Sequence, residues 1–276
     1  MTDYKNIFDG VESTLFREST LPTDKLREHL KPFYDLEPFE ILKPFKPLED
    51  ENFSDKDDEY YWLLVKVIFF AGIKTGIIKA RLQTILKYFR DYKVVASYGS
   101  DKVNQIINDS DMLRHRPKVQ ACVDNARIYQ STVAKYGSFK EYLVSFEPTH
   151  PTDWFENIML LREDLVCRFK FVGNVVAFHF LADIGMPCIK PDTVNCRIFY
   201  RLGLIESKPH ILKAVQQGRK FAQATGHKNR YIDRVFVAYG QEESKELGIN
   251  RGICLESNPR CEVCGITNYC NYYASL

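Results

Sequence analysis

Apolar side chains recur at intervals of three and four residues from Tyr60 onward, which is the period of one helix face. Few stretches show the apolar–polar alternation that is typical of a half-buried β-strand. The pattern therefore predicts an all-α protein. The predicted helices lie near residues 60–71, 75–90, 101–108, 115–135, 138–145, 153–165, 174–184, 192–202, 208–224 and 228–240.

The first 59 residues have a less regular pattern. Short helical stretches, the clearest of which runs from Thr23 to Leu30, give way to four prolines and an acidic loop from Glu49 to Glu59. We therefore divide the chain into an N-terminal extension with no assigned role (1–59), a helical lobe (60–191) and a C-terminal helical lobe (192–276). We expect the two lobes to work as one functional unit.

Composition excludes a membrane-spanning protein. The longest uninterrupted apolar run, from Val67 to Ile73, has seven residues, whereas a spanning helix needs about 20. The start of the chain lacks the basic and apolar regions of a secretory signal. With 45% hydrophobic and 27% charged residues, the sequence predicts a globular, cytoplasmic monomer with no membrane partner.

The net charge of +2 says little, but basic residues are clustered. Residues 208–234 contain seven Lys or Arg and a single acid, Asp233, and residues 74–93 contain six Lys or Arg and one acid, Asp91. Each run is compatible with a solvated helix face or with a surface that binds a polyanion.

Four of the eight cysteines fall within the last 23 residues, at Cys254, Cys261, Cys264 and Cys270. Spacing alone leaves a zinc site, an iron–sulfur cluster or neither open. The segment resembles the cluster loop of the endonuclease III and adenine-mismatch glycosylase family in all three intervals and in Pro259-Arg260. That resemblance implies a [4Fe–4S] cluster on the four cysteines and a DNA contact from Arg260, the one cation of the loop's first interval.

The segment from Phe169 to Ala177 resembles the hairpin of the helix–hairpin–helix DNA glycosylases. A glycine in such a turn allows backbone N–H groups at a helix N-terminus to face a DNA phosphate. A single glycine between apolar residues is weak support by itself. The resemblance implies DNA contacts from Lys170, Gly173 and Asn174.

Asp192 lies 19 residues beyond Gly173, within one residue of the interval to the catalytic aspartate of that superfamily. It also stands where an N-cap residue is expected, and a helix N-terminus favours an ionised carboxylate. The resemblance thus implies that Asp192 is the catalytic carboxylate. The Schiff-base lysine that bifunctional members carry just after the hairpin glycine is replaced by Asn174-Val175, which predicts a glycosylase without lyase activity.

The segment from Asp111 to Tyr129 resembles the 3-methyladenine DNA glycosylase I family. The resemblance implies that the basic run of Arg114, Arg116 and Lys118 lies near DNA, although a solvated helix start would look the same. The base-pocket motif of that family is Glu-Gly-x-Gln-x-Gly. Its best match here is the Ala71–Gly76 segment, which keeps the glycines but has neither the Glu nor the Gln of the motif. Two roles are possible for Trp62, Phe69 and Phe70: they stack on a flipped base, or they are core residues.

Together these resemblances imply a two-lobed, all-α helix–hairpin–helix DNA glycosylase fold with a C-terminal iron–sulfur loop. The expected function is monofunctional excision of an alkylated purine such as 3-methyladenine from double-stranded DNA in base excision repair, in the nucleoid if the source is bacterial. The alternatives are a glycosylase for other damaged or mismatched bases and a non-catalytic DNA-binding iron–sulfur protein.

Overall fold

The computed structural model describes residues 2–43, 48, 51, 53 and 55–276. Across these ranges the chain is helical, and the only β-structure there is an isolated bridge between Ser244 and Ile249. The helices are α1 (Tyr4–Glu18), α2 (Thr23–Tyr34), α3 (Lys56–Phe70), α4 (Thr75–Lys79), α5 (Leu82–Phe89), α6 (Tyr92–Ala96), α7 (Ser100–Asn108), α8 (Arg116–Tyr136), α9 (Phe139–Val144), α10 (Trp154–Arg168), α11 (Asn174–Asp183), α12 (Thr193–Arg201), α13 (Ile211–Thr225), α14 (Asn229–Gly240) and α15 (Asn271–Ala274). The prediction of an all-α protein is confirmed.

The predicted helices differ from the structure in the segment 75–90 and at the start of the chain, and α6 and α15 have no predicted counterpart. Residues 75–90 form two helices, because the amide of Arg81 closes a tight turn by donating to the carbonyl of Ile78 (2.9 Å). Residues 4–18, predicted as largely irregular, form α1, which the Asp3 side chain caps. Its buried face is a narrow stripe among polar residues, so the periodic signal in the sequence is weak.

One compact unit comprises Met1–Leu42 and Leu181–Leu276. Both α1 and α12 pack against α13 and α14 in this unit. Phe8 of α1 is fully buried, and its ring centroid lies 5.8 Å from that of Phe236, which in turn lies 4.9 Å from that of Phe221. The start of the chain, to which the sequence analysis assigns no role, therefore completes an aromatic core with the C-terminal helices.

The other compact unit comprises Lys43–Phe180. The middle of α3 is buried on all sides, and α8 packs against α3, α6, α7 and α9. Buried phenols find backbone acceptors: Tyr61 donates to the carbonyl of Cys122 (2.9 Å) and Tyr129 to that of Asp57 (2.7 Å). The unit boundaries differ from the predicted lobes, and they place the hairpin in this unit and Asp192 in the other.

None of the described helices combines the length and the hydropathy that a membrane span requires.

Candidate active site and cysteine loop

The predicted hairpin connects α10 to α11. Phe171 makes its tight turn, with φ at +60°, whereas Gly173 lies outside the left-handed region. A Cβ placed on Gly173 would meet no atom within 4 Å. The backbone and the packing of this unit therefore do not require glycine here. Its missing side chain leaves open space beside the N-terminus of α11, which is the geometry that a close partner needs.

Asn125 of α8 fixes the hairpin backbone. Its amide oxygen accepts from the backbone N–H of Lys170 (2.8 Å), and its amide nitrogen donates to the Lys170 carbonyl (2.9 Å). Asn125 has no exposed surface. The side chain of Lys170 remains largely exposed and pairs with Asp124 (2.7 Å). The segment from Asp111 to Tyr129, singled out in the sequence, thus includes the residue that fixes the hairpin.

The basic run before α8 divides into exposed and buried members. Arg114 and Arg116 are exposed, and Arg116 donates to the side chain of Asn104. Between them His115 caps α8, since its Nδ1 accepts from the backbone N–H of Lys118 (3.2 Å). Arg114 and Arg116 are thus accessible to a phosphate.

Lys118 has a structural position instead. It is 3% exposed, and its ammonium donates to the carbonyls of Ile68 (2.6 Å), Phe69 (3.1 Å) and Ala71 at the end of α3. Burial lowers the pKa of Lys118. The cation satisfies carbonyls that a helix C-terminus leaves without donors. This position corrects the prediction that Lys118 contacts DNA.

Two of the three predicted base-stacking residues are core residues. Trp62 is 1% exposed and its indole N–H donates to the carboxylate of Glu51 (2.8 Å). Phe69 is fully buried, with its ring centroid 5.9 Å from that of Phe89. Neither ring has a face open to a base, which corrects that prediction. Phe70 is partly exposed and stays a candidate.

Asp192 caps α12, as its place in the sequence predicts. Its Oδ1 accepts from the backbone N–H groups of Val194 and Asn195, both at 3.0 Å. Its Oδ2 lies 3.6 Å from the Lys190 ammonium, and the side chain is 18% exposed. The carboxylate is therefore oriented through one oxygen while it remains accessible.

A second carboxylate, Asp233, lies behind this cap. The amide nitrogen of the fully buried Asn195 donates both to the Lys190 carbonyl (2.8 Å) and to Oδ1 of Asp233 (2.6 Å). Arg230 is paired with Asp233 and with Asp183 (2.7 Å). Burial raises the pKa of Asp233 to about 6. The sequence shows Asp233 as the single acid of a basic stretch, but it does not predict the contacts of Asp233 with Asn195 and Arg230.

The four cysteines of the C-terminal loop line one pocket of about 380 Å³, a volume that includes its open side. Arg201 donates from Nη1 to Sγ of Cys254 (3.2 Å), and the Tyr239 hydroxyl donates to Sγ of Cys264 (2.9 Å). Burial raises the pKa of the Cys254 thiol, which the Arg201 hydrogen bond opposes. In the part of the chain that the structure describes, no three His, Cys, Asp or Glu side chains are arranged around one metal ion.

Helix α12 also holds the first cysteine of this loop. Arg197 donates from Nε to the Cys254 carbonyl (3.2 Å), and Arg201 donates to the carbonyls of Leu255 (2.6 Å) and Glu256 (3.0 Å). Both arginines are nearly buried, at 5% and 7% exposure. The helix that begins at the Asp192 cap thus ends on the cysteine loop.

The N-terminal helix also packs against the loop. A Cβ on Gly10 would lie 2.7 Å from Cγ2 of Ile266, and the Gly265 amide donates to the Thr14 hydroxyl (3.0 Å). Arg260 is paired with the carboxylate of Glu18 (2.5 Å). A DNA contact from Arg260 stays a prediction, and its guanidinium already has an intramolecular partner.

Comparison with known proteins identifies relatives by sequence and by structure. The chain is 25% identical to DNA-3-methyladenine glycosylase 1 of Escherichia coli (strain K12) over 134 residues, which cover 41% of this chain and 71% of that protein. A non-covalent endonuclease III–DNA complex matches with a TM-score of 0.54 at 17% identity, covering 91% of this chain and 94% of that one. The 8-oxoguanine DNA glycosylase of Thermotoga maritima matches with a TM-score of 0.51 at 17% identity, covering 85% and 96%.

The structural matches show that the chain has the helix–hairpin–helix glycosylase fold. The sequence model of the methyladenine glycosylase family matches residues 52–199, which include both the hairpin and Asp192. Because this match spans more than half of the protein, the chain belongs to the methyladenine glycosylase family.

Proposed function

We infer that the protein is a monofunctional DNA glycosylase that hydrolyses the N-glycosidic bond of a flipped alkylated purine such as 3-methyladenine. The observation that carries this proposal is the family match across residues 52–199 together with the capped, accessible carboxylate of Asp192 inside it. The substrate would be double-stranded DNA that contains one damaged base, bound by a monomer.

Asp192 supplies the charge that this reaction needs. As the base departs, the deoxyribose acquires oxocarbenium character, and a fixed carboxylate stabilises that positive charge. The two backbone N–H donors at 3.0 Å keep the carboxylate oriented at the N-terminus of α12. An N3- or N7-alkylated purine is already cationic. Its departure therefore needs no strong general acid, and Asp192 can orient the attacking water.

The hairpin is suited to hold a phosphate of the bound strand. Gly173 and Asn174 stand at the N-terminus of α11 with open space around the glycine, and Lys170 adds an exposed ammonium. Arg114 and Arg116 supply two further exposed cations in the same unit. These contacts would fix the position of the DNA without reading its sequence.

The lysines near the site do not favour a lyase. Lys170 is paired with Asp124, and Lys190 lies 3.6 Å from the carboxylate of Asp192. Neither lysine stands just after the hairpin glycine, where Asn174 and Val175 replace the Schiff-base lysine of bifunctional glycosylases. We expect no Schiff base to be trapped by borohydride on abasic DNA.

A [4Fe–4S] cluster fits the C-terminal pocket better than a single zinc ion does. In such a cluster each thiolate binds a different iron, so the sulfurs need not converge on one point, whereas zinc requires four ligands at about 2.3 Å. The four cysteines line one pocket with the intervals of the cluster loop that they resemble, and hydrogen bonds from Arg201 and Tyr239 suit thiolate sulfurs. The cluster, when bound, would fasten the C-terminal loop.

Visible absorption and iron analysis of anaerobically purified protein test the cluster. We expect a brown protein with about four irons per chain, lost in Cys264→Ser and kept in Cys167→Ser, whose cysteine is exposed and outside the loop. A colourless protein with one zinc ion would contradict the assignment.

A glycosylase for another base is the second candidate. The segment Ala71–Gly76 lacks the acid and the amide of the expected base-pocket motif, and Trp62 and Phe69 are buried. Pocket polar groups read the edge of a flipped base, so their loss favours a different lesion. A panel of duplexes with oxidised, deaminated and mismatched bases separates the two candidates.

The deciding experiment is base release from methylated duplex DNA, with products resolved by mass. We expect methylpurine release that Asp192→Asn reduces at least about tenfold, a barrier change of about 1.4 kcal/mol. Asp91→Asn is the matched control, since Asp91 caps α6 with the same two kinds of bond, from Lys93 (2.8 Å) and Val94 (3.0 Å). DNA binding without release of any base would contradict an enzymatic function.

A further inference from the structure

The buried carboxylate of Asp233 has no part in the reaction described above. It lies on α14 with no exposed surface, and a charge in such a place is costly unless its partners are specific. One of its oxygens pairs with Arg230 and the other accepts from Asn195. These partners connect it to the turn that carries Asp192.

Asn195 joins the two carboxylates. Its backbone N–H donates to Asp192, while its amide nitrogen uses one hydrogen on the Lys190 carbonyl and the other on Asp233. The turn from Lys190 to Asp192 is therefore fixed at both ends by one residue. Asn195 itself is fully buried, so a change in its orientation has to be matched by its neighbours.

The amide oxygen of Asn195 is buried and has no hydrogen-bond partner in the described part of the chain. Its orientation thus depends on the two donor bonds alone. An ionised Asp233 only accepts hydrogen bonds and holds the amide nitrogen toward itself, whereas a protonated Asp233 carries an O–H donor. That donor favours a rotated amide with its oxygen toward Asp233, and the bond to the Lys190 carbonyl is then lost.

We propose that Asp233 is a positioning residue that, through Asn195, holds Asp192 in its catalytic orientation only while Asp233 is ionised. This inference rests on the proposed glycosylase function. It adds a pH dependence that originates in a residue with no contact to the substrate.

The groups around Asp233 support a switch near neutral pH. They are Arg230 and Arg234 on its own helix, Asn195 on α12, Cys188, Lys190 and Asp192 in the segment before α12, and Asp183 at the end of α11, which shares Arg230. Burial is the largest influence, and it raises the pKa of Asp233 to about 6 against the opposing charge of Arg230. Asp233 then exchanges its proton between pH 5 and pH 7.

Single-turnover release of methylpurine between pH 5 and pH 8 tests the proposal. For the wild type we expect the rate to rise about tenfold through pH 6. In Asp233→Asn, Arg230 can pair only with the amide oxygen, so the amide nitrogen faces Asn195 and mimics the protonated acid. This variant should show a flat profile at the low-pH rate of the wild type, with unchanged affinity for uncleaved duplex.

Two further variants separate positioning from folding. Asn195→Ala removes the connection while keeping Asp233 on Arg230, and it should also give a flat profile. Asp164→Asn is the matched control, since Asp164 pairs with Arg168 (2.7 Å) in the other unit and should leave the step at pH 6 in place. Circular dichroism and thermal melts check that each variant folds.

The outcomes are distinct. A pH step that persists in Asp233→Asn, with or without a uniform loss of rate, would overturn the positioning role and leave the glycosylase function intact. Release that Asp192→Asn does not reduce would overturn the role of Asp192 and the inference with it. Absence of release from the wild type at every pH would overturn the proposed function itself.

Discussion

At the residue scale, the charge of Asp233 also makes stability depend on pH. Its pKa is raised from 3.8 to about 6, mainly by burial. The folded chain therefore keeps this proton over a range in which the unfolded chain has released it. The resulting stabilisation is complete below about pH 4 and is lost as the pH rises through 6.

We expect the Tm of Asp233→Asn relative to that of the wild type to increase from pH 4 to pH 7, because the variant has no buried carboxyl to ionise. Calorimetry at four pH values measures this difference. A constant difference over the whole range would show that Asp233 does not titrate there.

The basic residues before α8 give a second residue-scale prediction. Arg114→Gln and Arg116→Gln should each weaken DNA binding and lower the slope of log K against log salt concentration by about 1. Lys118→Met should leave the slope unchanged and instead lower the unfolding free energy by about 1–3 kcal/mol, because the carbonyls at the end of α3 lose their donor.

Fluorescence anisotropy of a labelled duplex at several salt concentrations compares these three variants. Equal slopes for Lys118→Met and Arg116→Gln would mean that the lysine leaves its buried site when DNA binds.

At the element scale, the nine residues of α12 connect the candidate catalytic carboxylate to the cysteine loop. Its N-cap is Asp192, and its last turn holds Cys254 and the following carbonyls through Arg201. The sequence predicts the cap, since an Asp before an apolar stripe is a local signal. It does not predict the arginine contacts, because those join residues more than fifty positions apart.

Helix α1 gives the element-scale prediction. Gly10→Ala places a methyl group 2.7 Å from Ile266 and 3.0 Å from the Gly265 carbonyl, so the cysteine loop has to shift. We expect less iron per chain after purification and a Tm lowered by several degrees. The matched control is Gly76→Ala, where the added methyl group meets no atom within 4 Å.

Iron content and calorimetry are measured on the same preparations. Full iron loading in Gly10→Ala would show that the loop binds its cluster without the support of α1.

At the scale of the whole molecule, local signals were sufficient for most of the fold. The helices from α7 to α14 follow the apolar period within a few residues, and the capped Asp192 follows from its turn. What failed depends on long-range packing. Trp62 is buried with its indole N–H on Glu51, and Phe69 is buried against Phe89 of α5. Lys118 is buried because its ammonium donates to carbonyls at the end of α3, fifty residues away in sequence. Periodicity carries no information about such partners.

The division of the chain affects how it folds during synthesis. Residues 43–180 form one compact unit, while α1 and α2 have their core partners in residues 181–276. On the ribosome the apolar stripe of Phe8 and Leu15 is made before α13 and α14, the helices that cover it. The inserted unit can fold during that delay. The N-terminal helices therefore remain without their core partners until residues 181–276 have been made.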